Sequence, residues 1–171
     1  MDRPTPAIPP DRRVAGTRRF VVGVVTFAAV ALAHALLTWP HRSTLVLFLG
    51  GAAVAFVGEA TVVRLGLLRH HVGPRVAGVP LYVLAAWPAT TYACYRAAAL
   101  VVPAGVPAAT LAAVAATLFD AALDPRGVRR GRWSYPDARV SEPRYRGVPW
   151  WNFVGWLAVV FVTASLVSHL G

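Results

Sequence analysis

GVPWWNFVGW, residues 147–156, opens the last hydrophobic segment of the chain with a proline, three tryptophans and the amide of Asn152. A membrane span is easily built from Val, Leu and Ala alone, and such a span has no need of an amide one turn inside the bilayer. The segment therefore predicts a membrane-spanning helix that carries a site, with a group there for Asn152 to hydrogen-bond.

The composition of the 171-residue chain is that of an integral membrane protein. Hydrophobic residues make up 57% and charged residues only 14%, and the mean hydropathy is +0.55. A helix needs about 20 apolar residues to cross the hydrocarbon core of a bilayer. Five stretches meet or approach this length, at about residues 20–39, 44–63, 79–102, 108–123 and 149–170. The sequence predicts an all-α bundle of about five transmembrane helices.

The distribution of arginine predicts how the bundle is oriented. All 17 basic residues are arginine, and fifteen of them precede the first span, separate the second from the third, or separate the fourth from the fifth. Only Arg42 and Arg96 fall on the other side. Because cytoplasmic loops are rich in basic residues, we expect a multi-pass protein of the cell membrane with a cytoplasmic N-terminus and an external C-terminus. The same pattern favours anionic lipid head groups as partners and argues against nucleic acid.

The chain divides into a short tail and one membrane domain. Residues 1–18 are rich in proline and charge, which predicts a flexible basic cytoplasmic tail. Residues 19–171 form a single transmembrane helical domain with a cytoplasmic loop at 124–147. The first span resembles a secretory signal ending in a small-residue cleavage site, ALAHA at 31–35. Because four spans follow, we interpret it as a retained signal anchor, with cleavage as the alternative.

The tripeptide GVP recurs at residues 78–80, 105–107 and 147–149, each time at the start of a span. Proline suits the first helical turn because the N–H that it lacks would have no helical partner there, and the preceding glycine allows a sharp turn. This helix-start chemistry explains the tripeptide sufficiently, and we favour it over the alternative of a true internal repeat.

Polar side chains from three spans converge at the cytoplasmic end of the predicted bundle. Glu59 lies near the end of the second span, Asp120 and Asp124 stack at i,i+4 at the end of the fourth, and Asn152 opens the fifth. Intramembrane carboxylates are costly and commonly functional. For each residue alone a structural explanation is open, such as a helix-end pair of Glu59 with Arg64 or a helix stop at Asp124. The set predicts a cavity.

The chemistry of this set suits acid catalysis on a lipid. A carboxyl group in apolar surroundings can hold a proton and act as a general acid, and aromatic rings stabilise a neighbouring cation. Together with water-binding polar groups, these features would allow protonation of an alkene and capture of the carbocation by water. A proton-coupled carrier would use the same carboxylates.

Several strings resemble the CruF-type carotenoid biosynthesis proteins, which include bacterial carotenoid 1,2-hydratases and a haloarchaeal bisanhydrobacterioruberin hydratase. The strings are VGEATVVRLGLL (57–68), GPRVAGVPLYVLAAWP (73–88), D-x-x-x-DP (120–125), W-x-Y (133–135) and YRGVPWWNFVGW (145–156). The resemblance covers about residues 55–160, and the chain is shorter than the family members it resembles.

The resemblance implies a membrane enzyme that hydrates the terminal double bond of an acyclic carotenoid without a redox cofactor. It supplies no catalytic set, so the roles rest on the convergence of the polar groups. We expect Asp120 or Asp124 as the proton donor, Glu59 as a water-orienting base or second acid, and Asn152 as a ligand of water or hydroxyl. Trp151, Trp156 and Trp87 are expected to contact the substrate.

Two other classes of function stay open, a small proton-coupled transporter and a non-catalytic membrane partner of carotenoid enzymes, and a homo-oligomer is a further possibility. No cofactor is expected. A metal site is not expected either, because His70 and His71 are adjacent and would point apart on a helix. The single cysteine, Cys94, allows no intrachain disulfide.

Overall fold

The structure of the protein is a computed structural model, which describes residues 10–136 and 142–168. Within these ranges five long helices are joined at one end of the bundle by short strands. We number the helices α1 (Pro10–Thr38), α2 (His41–Arg64), α3 (Leu81–Ala98), α4 (Val106–Arg129) and α5 (Trp150–Ser168). Helix α2 consists of two α-helical parts, His41–Leu45 and Gly51–Arg64, on either side of one π-helical turn, Val46–Gly50.

Four of the described helices are long and apolar enough to cross a membrane, namely α1 from Gly16 onward, α2, α4 and α5. The all-α membrane fold predicted from the sequence is therefore confirmed. Helix α3 is not among the four. It has 18 residues, including three tyrosines and Arg96, and it contacts all four of the other helices. Its central position buries the three tyrosines, so it needs less hydrophobicity than the outer helices.

Two helix boundaries differ from those expected. Helix α1 begins at Pro10, so residues 10–18 of the predicted flexible tail are helical, and residues 1–9 lie outside the described part of the chain. Proline fits this first position because it needs no N–H partner there. Helix α4 continues through Asp124 and Pro125 to Arg129, so the predicted loop at 124–147 begins within a helix. Asp124 is therefore not a helix stop, and its side chain bonds Tyr135 and Asn152.

Helices α2 and α4 end in the same way. In α2 the N–H of Leu67 bonds the carbonyl of Val62, and Gly66 has a φ of 75°. In α4 the N–H of Arg132 bonds the carbonyl of Gly127, and Gly131 has a φ of 64°. Both are helix ends in which a left-handed glycine lets the chain reverse and satisfies the last carbonyls.

Six two-residue strands follow these helix ends and form three antiparallel pairs. The strands are β1 (Arg69–His70), β2 (Arg75–Val76), β3 (Val79–Pro80), β4 (Trp133–Ser134), β5 (Arg144–Tyr145) and β6 (Val148–Pro149). β2 pairs with β3 and β5 with β6 as hairpins, whereas β1 pairs with β4 and so joins the two loops. Both hairpins turn through two residues of positive φ, Ala77–Gly78 and Arg146–Gly147, which matches the twist of antiparallel strands.

These correspondences define an internal repeat. The first repeat, residues 41–98, contains α2, β1–β3 and α3; the second repeat, residues 106–168, contains α4, β4–β6 and α5. Helices α2 and α4 both have 24 residues, and their positions differ by 65. From the hairpins onward the difference is 69, because the loop of the second repeat is four residues longer. The β1–β4 register pairs Arg69 with Ser134, its own equivalent, as a two-fold axis requires.

The interpretation of GVP as helix-start chemistry alone is thus wrong for two of its three copies. Residues 78–80 and 147–149 belong to the sequence P-R-x-x-G-V-P, which forms the equivalent hairpins. In each, the residue after the last proline donates its N–H to the first: Leu81 to Pro74 at 3.0 Å and Trp150 to Pro143 at 3.1 Å. The copy at 105–107 only starts α4, with Gly105 as its N-cap residue.

Candidate active site

A cavity of about 500 Å³ lies at the end of the bundle where the strands meet. Its apolar wall includes Phe20, Val24, Phe27, Val83, Trp87, Phe119, Leu123 and Trp156. Its polar groups come from the ends of α2 and α4, the start of α3 and the loops: Glu59, His70, Tyr82, Asp120, Asp124, Trp133 and Tyr135. An apolar chamber with a few convergent polar groups is the usual form of a small-molecule site.

The cavity opens on the surface of the helix bundle, between α1 and α4. Phe27 of α1 lines the cavity and is 41% exposed, and Phe119 and Leu123 of α4 line it and are 52% and 40% exposed. Residues that face both the cavity and the outside mark an opening. All three residues lie within candidate membrane spans, so the opening lies on the apolar flank of the bundle.

Asp124 is held by three hydrogen-bond donors. Its Oδ1 accepts the indole N–H of Trp133, its Oδ2 accepts the hydroxyl of Tyr135 at 2.7 Å, and the same Oδ2 accepts the amide of Asn152 at 3.0 Å. Only 4% of its surface is exposed. Donors on both oxygens satisfy a carboxylate, and they fix its orientation.

Asn152 also bonds the second carboxyl group of α4. Its Nδ2 lies 3.2 Å from Oδ2 of Asp120, one turn before Asp124. One amide therefore bridges two carboxyl groups, with one hydrogen for each. Oδ1 of Asp120 has no hydrogen bond from the described residues, and Asp120 lines the cavity. Asn152 itself lies behind the carboxyl groups and does not line the cavity, so it positions them.

Glu59 forms a buried pair with His70. Nε2 of His70 donates to Oε2 of Glu59 at 2.8 Å, and the two side chains are 4% and 6% exposed. The carboxylate thereby fixes the ring orientation and its tautomer. The alternative pairing of Glu59 with Arg64 is not formed, because β1 brings His70 back over the end of α2.

The Glu59–His70 pair and the Asp124–Tyr135 pair occupy equivalent positions of the two repeats. The partners of each pair are 11 residues apart, and the partner carbonyls are bonded equivalently too. Arg75 donates to the carbonyl of His70, and Arg144 donates to that of Tyr135. Two carboxylates with different partners therefore face one cavity from opposite sides of the axis.

Trp87 and Trp156 lie at the two-fold axis that relates the two repeats. Each lies seven residues after the last proline of its hairpin, and their rings stack with centroids 3.5 Å apart and planes 15° apart. Both line the cavity. A large aromatic surface is thus presented to a ligand between the two carboxylate pairs.

Basic side chains line the polar end of the cavity. They are Arg19, Arg126, Arg130 and Arg132. The guanidinium of Arg132 lies 3.7 Å from the ring centre of Phe20, and burial together with the neighbouring charge of Arg130 lowers its pKa. Nearby, burial and the charge of Asp124 raise the pKa of Tyr135 well above its ordinary value. Tyr135 therefore keeps its proton and remains a donor.

Of the seven residues expected at the site, five line the cavity: Glu59, Asp120, Asp124, Trp87 and Trp156. Trp151 does not. Its indole N–H donates to Glu142 at 2.8 Å and its ring packs edge-on against Tyr135, so it supports the wall from behind. Among the described residues, no three His, Cys, Asp or Glu side chains group as metal ligands.

The sequence did not point to His70, Tyr82, Trp133 or Tyr135. His70 and His71 do not lie on a helix: β1 ends at His70, and the two side chains bond different partners, Glu59 and Ser134. The sequence signal that indicates these pairs is their spacing from glycine. Glu59 and Asp124 each precede a helix-ending glycine by seven residues, and His70 and Tyr135 each follow one by four.

Comparison with known proteins identifies one family. The family model described as carotenoid biosynthesis protein matches residues 18–170, which is nearly the whole chain and includes every residue of the cavity. No curated protein and no solved structure matches the chain.

Proposed function

The chain belongs to the carotenoid biosynthesis protein family, and from this membership we propose that it is a hydratase of the cell membrane. It adds water to the terminal isoprenoid double bond of an acyclic carotenoid and gives a tertiary alcohol. No redox cofactor is needed, since hydration changes no net oxidation state.

The form of the cavity supports a long apolar substrate. An acyclic carotenoid partitions into the bilayer, and the opening between α1 and α4 connects the bilayer to the cavity. A volume of about 500 Å³ suits an isoprenoid end group rather than a whole carotenoid. We therefore expect the end group to enter and the rest of the polyene to remain between α1 and α4 or in lipid.

Asp120 is the better proton donor of the two aspartates. Both oxygens of Asp124 already accept hydrogen bonds, which leaves it suited to the carboxylate form. Asp120 lines the cavity and keeps one oxygen without a donor among the described residues. A proton on this oxygen can pass to the CH carbon of the terminal double bond, and the positive charge then forms on the carbon that bears two methyl groups.

The stacked tryptophans suit the cation that results. A cation within about 6 Å of an aromatic face is stabilised by the ring quadrupole, by about 2 kcal/mol or more where water is excluded. Trp87 and Trp156 line the apolar wall as a stack that covers one face of each ring, and we expect the cation to lie beside this stack. Glu59 and its partner His70 form the part of the site that we assign to the capture of water.

The observation that carries this proposal is the carboxyl pair bridged by Asn152 in the wall of a cavity open to lipid. In a host that accumulates lycopene, the protein is expected to convert pigment to a product heavier by one water. Asp120→Asn should lower hydration about 100-fold or more, the usual contribution of a general acid. Glu142→Gln, a carboxyl-to-amide change outside the cavity, is the matched control and should retain activity. Equal activity of both variants would contradict the assignment of Asp120.

A proton-coupled carrier is the second candidate, and the internal repeat is the observation that favours it, because many transporters are built from repeated halves. The same host separates the candidates. A carrier, like a non-catalytic partner of carotenoid enzymes, leaves the masses of several acyclic carotenoids unchanged. A carrier alone would then show proton flux across vesicles that depends on Glu59 and Asp124.

A further inference from the structure

Two polar atoms at the cavity have no hydrogen-bond partner among the described residues. They are Nδ1 of His70 and the hydroxyl of Tyr82. The residues are only 6% and 7% exposed, and both line the cavity. A buried polar atom without a partner costs about 1–3 kcal/mol, so such atoms beside a cavity indicate a polar ligand.

Both rings belong to one aromatic cluster. Tyr82 packs edge-on against Phe20 at 5.3 Å between ring centres, Phe20 lies 6.3 Å from Trp133, and Trp133 lies 6.5 Å from His70. Close packing on a buried cluster limits the rotation of both side chains. Both side chains therefore line the same cavity within one connected run of aromatic rings.

The pairing with Glu59 determines what His70 can offer. Because Nε2 carries the hydrogen that is donated to Glu59, the neutral ring has an acceptor at Nδ1. Proteins activate hydroxyl groups and water with such an arrangement, in which a carboxylate holds an imidazole and the acceptor nitrogen of the ring faces the ligand. Tyr82 supplies the complementary donor.

The second repeat has no equivalent of this acceptor. At the position of His70 it carries Tyr135, whose hydroxyl is used by Asp124. At the position of Tyr82 it carries Trp151, whose N–H is used by Glu142. The two unpartnered atoms therefore belong to the first repeat, as Glu59 does, whereas Asp120 belongs to the second repeat.

We propose that His70 and Tyr82 bind the water molecule that captures the carbocation, with His70 as its general base and Glu59 as the residue that positions His70. The inference rests on the proposed hydratase function. Water donates one hydrogen to Nδ1 of His70 and accepts the hydroxyl hydrogen of Tyr82. Its oxygen forms a bond to the cationic carbon while its proton passes to Nδ1.

The step balances without a further reactant. The substrate gains a proton from Asp120 and a hydroxide equivalent from water, so the product is substrate plus one water. Asp120 is left as a carboxylate and His70 as an imidazolium. Return of one proton from His70 to Asp120, directly or through water, restores the site.

Deuterium separates the two halves of the reaction. If protonation occurs but capture fails, the cation loses a proton to Asp120 and returns to alkene. In heavy water the recovered carotenoid then gains deuterium at its end group. For His70→Ala we expect hydration to fall about 100-fold or more, while the ratio of deuterated substrate to hydrated product rises at least about 10-fold. Asp120→Asn should abolish both.

Tyr82→Phe removes one oxygen atom and leaves the ring packing, so it is the variant least able to disturb folding. It should lower hydration about 10-fold, the effect of one lost hydrogen bond, with the same rise in deuterated substrate. Tyr92→Phe is its matched control, because Tyr92 is also buried on α3 but bonds His34 outside the cavity. Glu59→Gln should behave as His70→Ala does, since the amide no longer fixes the tautomer.

The outcomes distinguish this inference from the proposed function. A wild-type protein that neither hydrates nor deuterates any acyclic carotenoid overturns the proposed function. A wild-type protein that hydrates, with full activity in Tyr82→Phe and His70→Ala, overturns the inference alone. Loss of deuterium uptake together with hydration in Tyr82→Phe would assign the pair to protonation and overturn the inference too.

Discussion

The two repeats share a backbone but differ in the side chains that face the cavity. The first repeat presents Glu59 with His70, and the second presents Asp124 with Tyr135 in the equivalent places. Imidazole can accept a proton near neutral pH, whereas the phenol of Tyr135 only donates. A duplicated scaffold thus offers two different carboxylate pairs to one chamber, which suits a reaction that needs an acid on one side and a base on the other.

The repeats differ further in a second carboxyl group, which only the second repeat has at the site. Asp120 corresponds to Ala55 in the first repeat, and Asn152 corresponds to Val83. The first repeat therefore has neither the extra acid nor the amide that bridges it to its neighbour. Alanine at position 55 is fully buried, so a carboxyl group there would lie in packed protein rather than at the cavity.

The strongest test of this comparison is to convert the carboxylate pair of the first repeat into that of the second repeat. The double variant Glu59→Asp with His70→Tyr keeps a hydrogen-bonded pair that the fold accepts elsewhere, but it removes the acceptor nitrogen. We expect hydration to fall about 100-fold or more, with the protein still folded by its elution profile in detergent. Hydration close to that of the wild type would mean that the difference between the repeats has no catalytic consequence.

A second test uses a position where the side chains of the two repeats differ in size. Gly127 lies directly beneath the indole ring of Trp133, where an added Cβ would overlap the ring. Its equivalent is Val62, which already carries a side chain. Gly127→Ala must displace Trp133 and break its bond to Asp124. Overpacking of this kind costs about 1–3 kcal/mol, so we expect a lower melting temperature and reduced hydration.

The control for this prediction is Val62→Ala, which removes atoms at the equivalent helix end and leaves Asp124 untouched. It should change hydration little. If Gly127→Ala were as stable and active as the wild type, Trp133 would not be needed to hold Asp124.

Much of the fold could be predicted because bilayer burial imposes a simple pattern. Long apolar segments and the placement of arginine predicted an all-α membrane bundle, and the convergence of Glu59, Asp120 and Asp124 followed from the direction of each span. Helix α3 was predicted as the third span, at about residues 79–102, and the structure has a helix there, Leu81–Ala98. It is not among the four candidate spans, since a helix enclosed by others carries Tyr and Thr residues and is less apolar than a lipid-facing span.

The His70 half of the site could not be predicted for two physical reasons. β1 is only two residues long, too short for a strand periodicity, so nothing in the pattern indicates that His70 turns back toward Glu59. The repeat was also hidden, because the four extra residues in the second loop change the spacing from 65 to 69. The contact of Trp151 with Glu142 could not be predicted from the repeat either. Glu142 has Gly73 as its equivalent in the first repeat, so only the second repeat has this pair.

The smallest expected effect concerns the hairpin turns, where the repeats are most alike. Gly78 has a φ of 83° and Gly147 a φ of 90°, and a side chain in this region costs about 1–2 kcal/mol. An added Cβ at Gly78 would lie 2.6 Å from Cγ1 of Val63, whereas at Gly147 it would lie 3.5 Å from Cγ1 of Val128. Gly78→Ala should therefore lower the melting temperature in detergent more than Gly147→Ala does. The double variant Gly78→Ala with Val63→Ala should remove the excess, because it relieves the contact and leaves only the backbone strain that both turns share. Equal melting temperatures for the two single variants would show that the contact between hairpin and helix end is not closer in the first repeat.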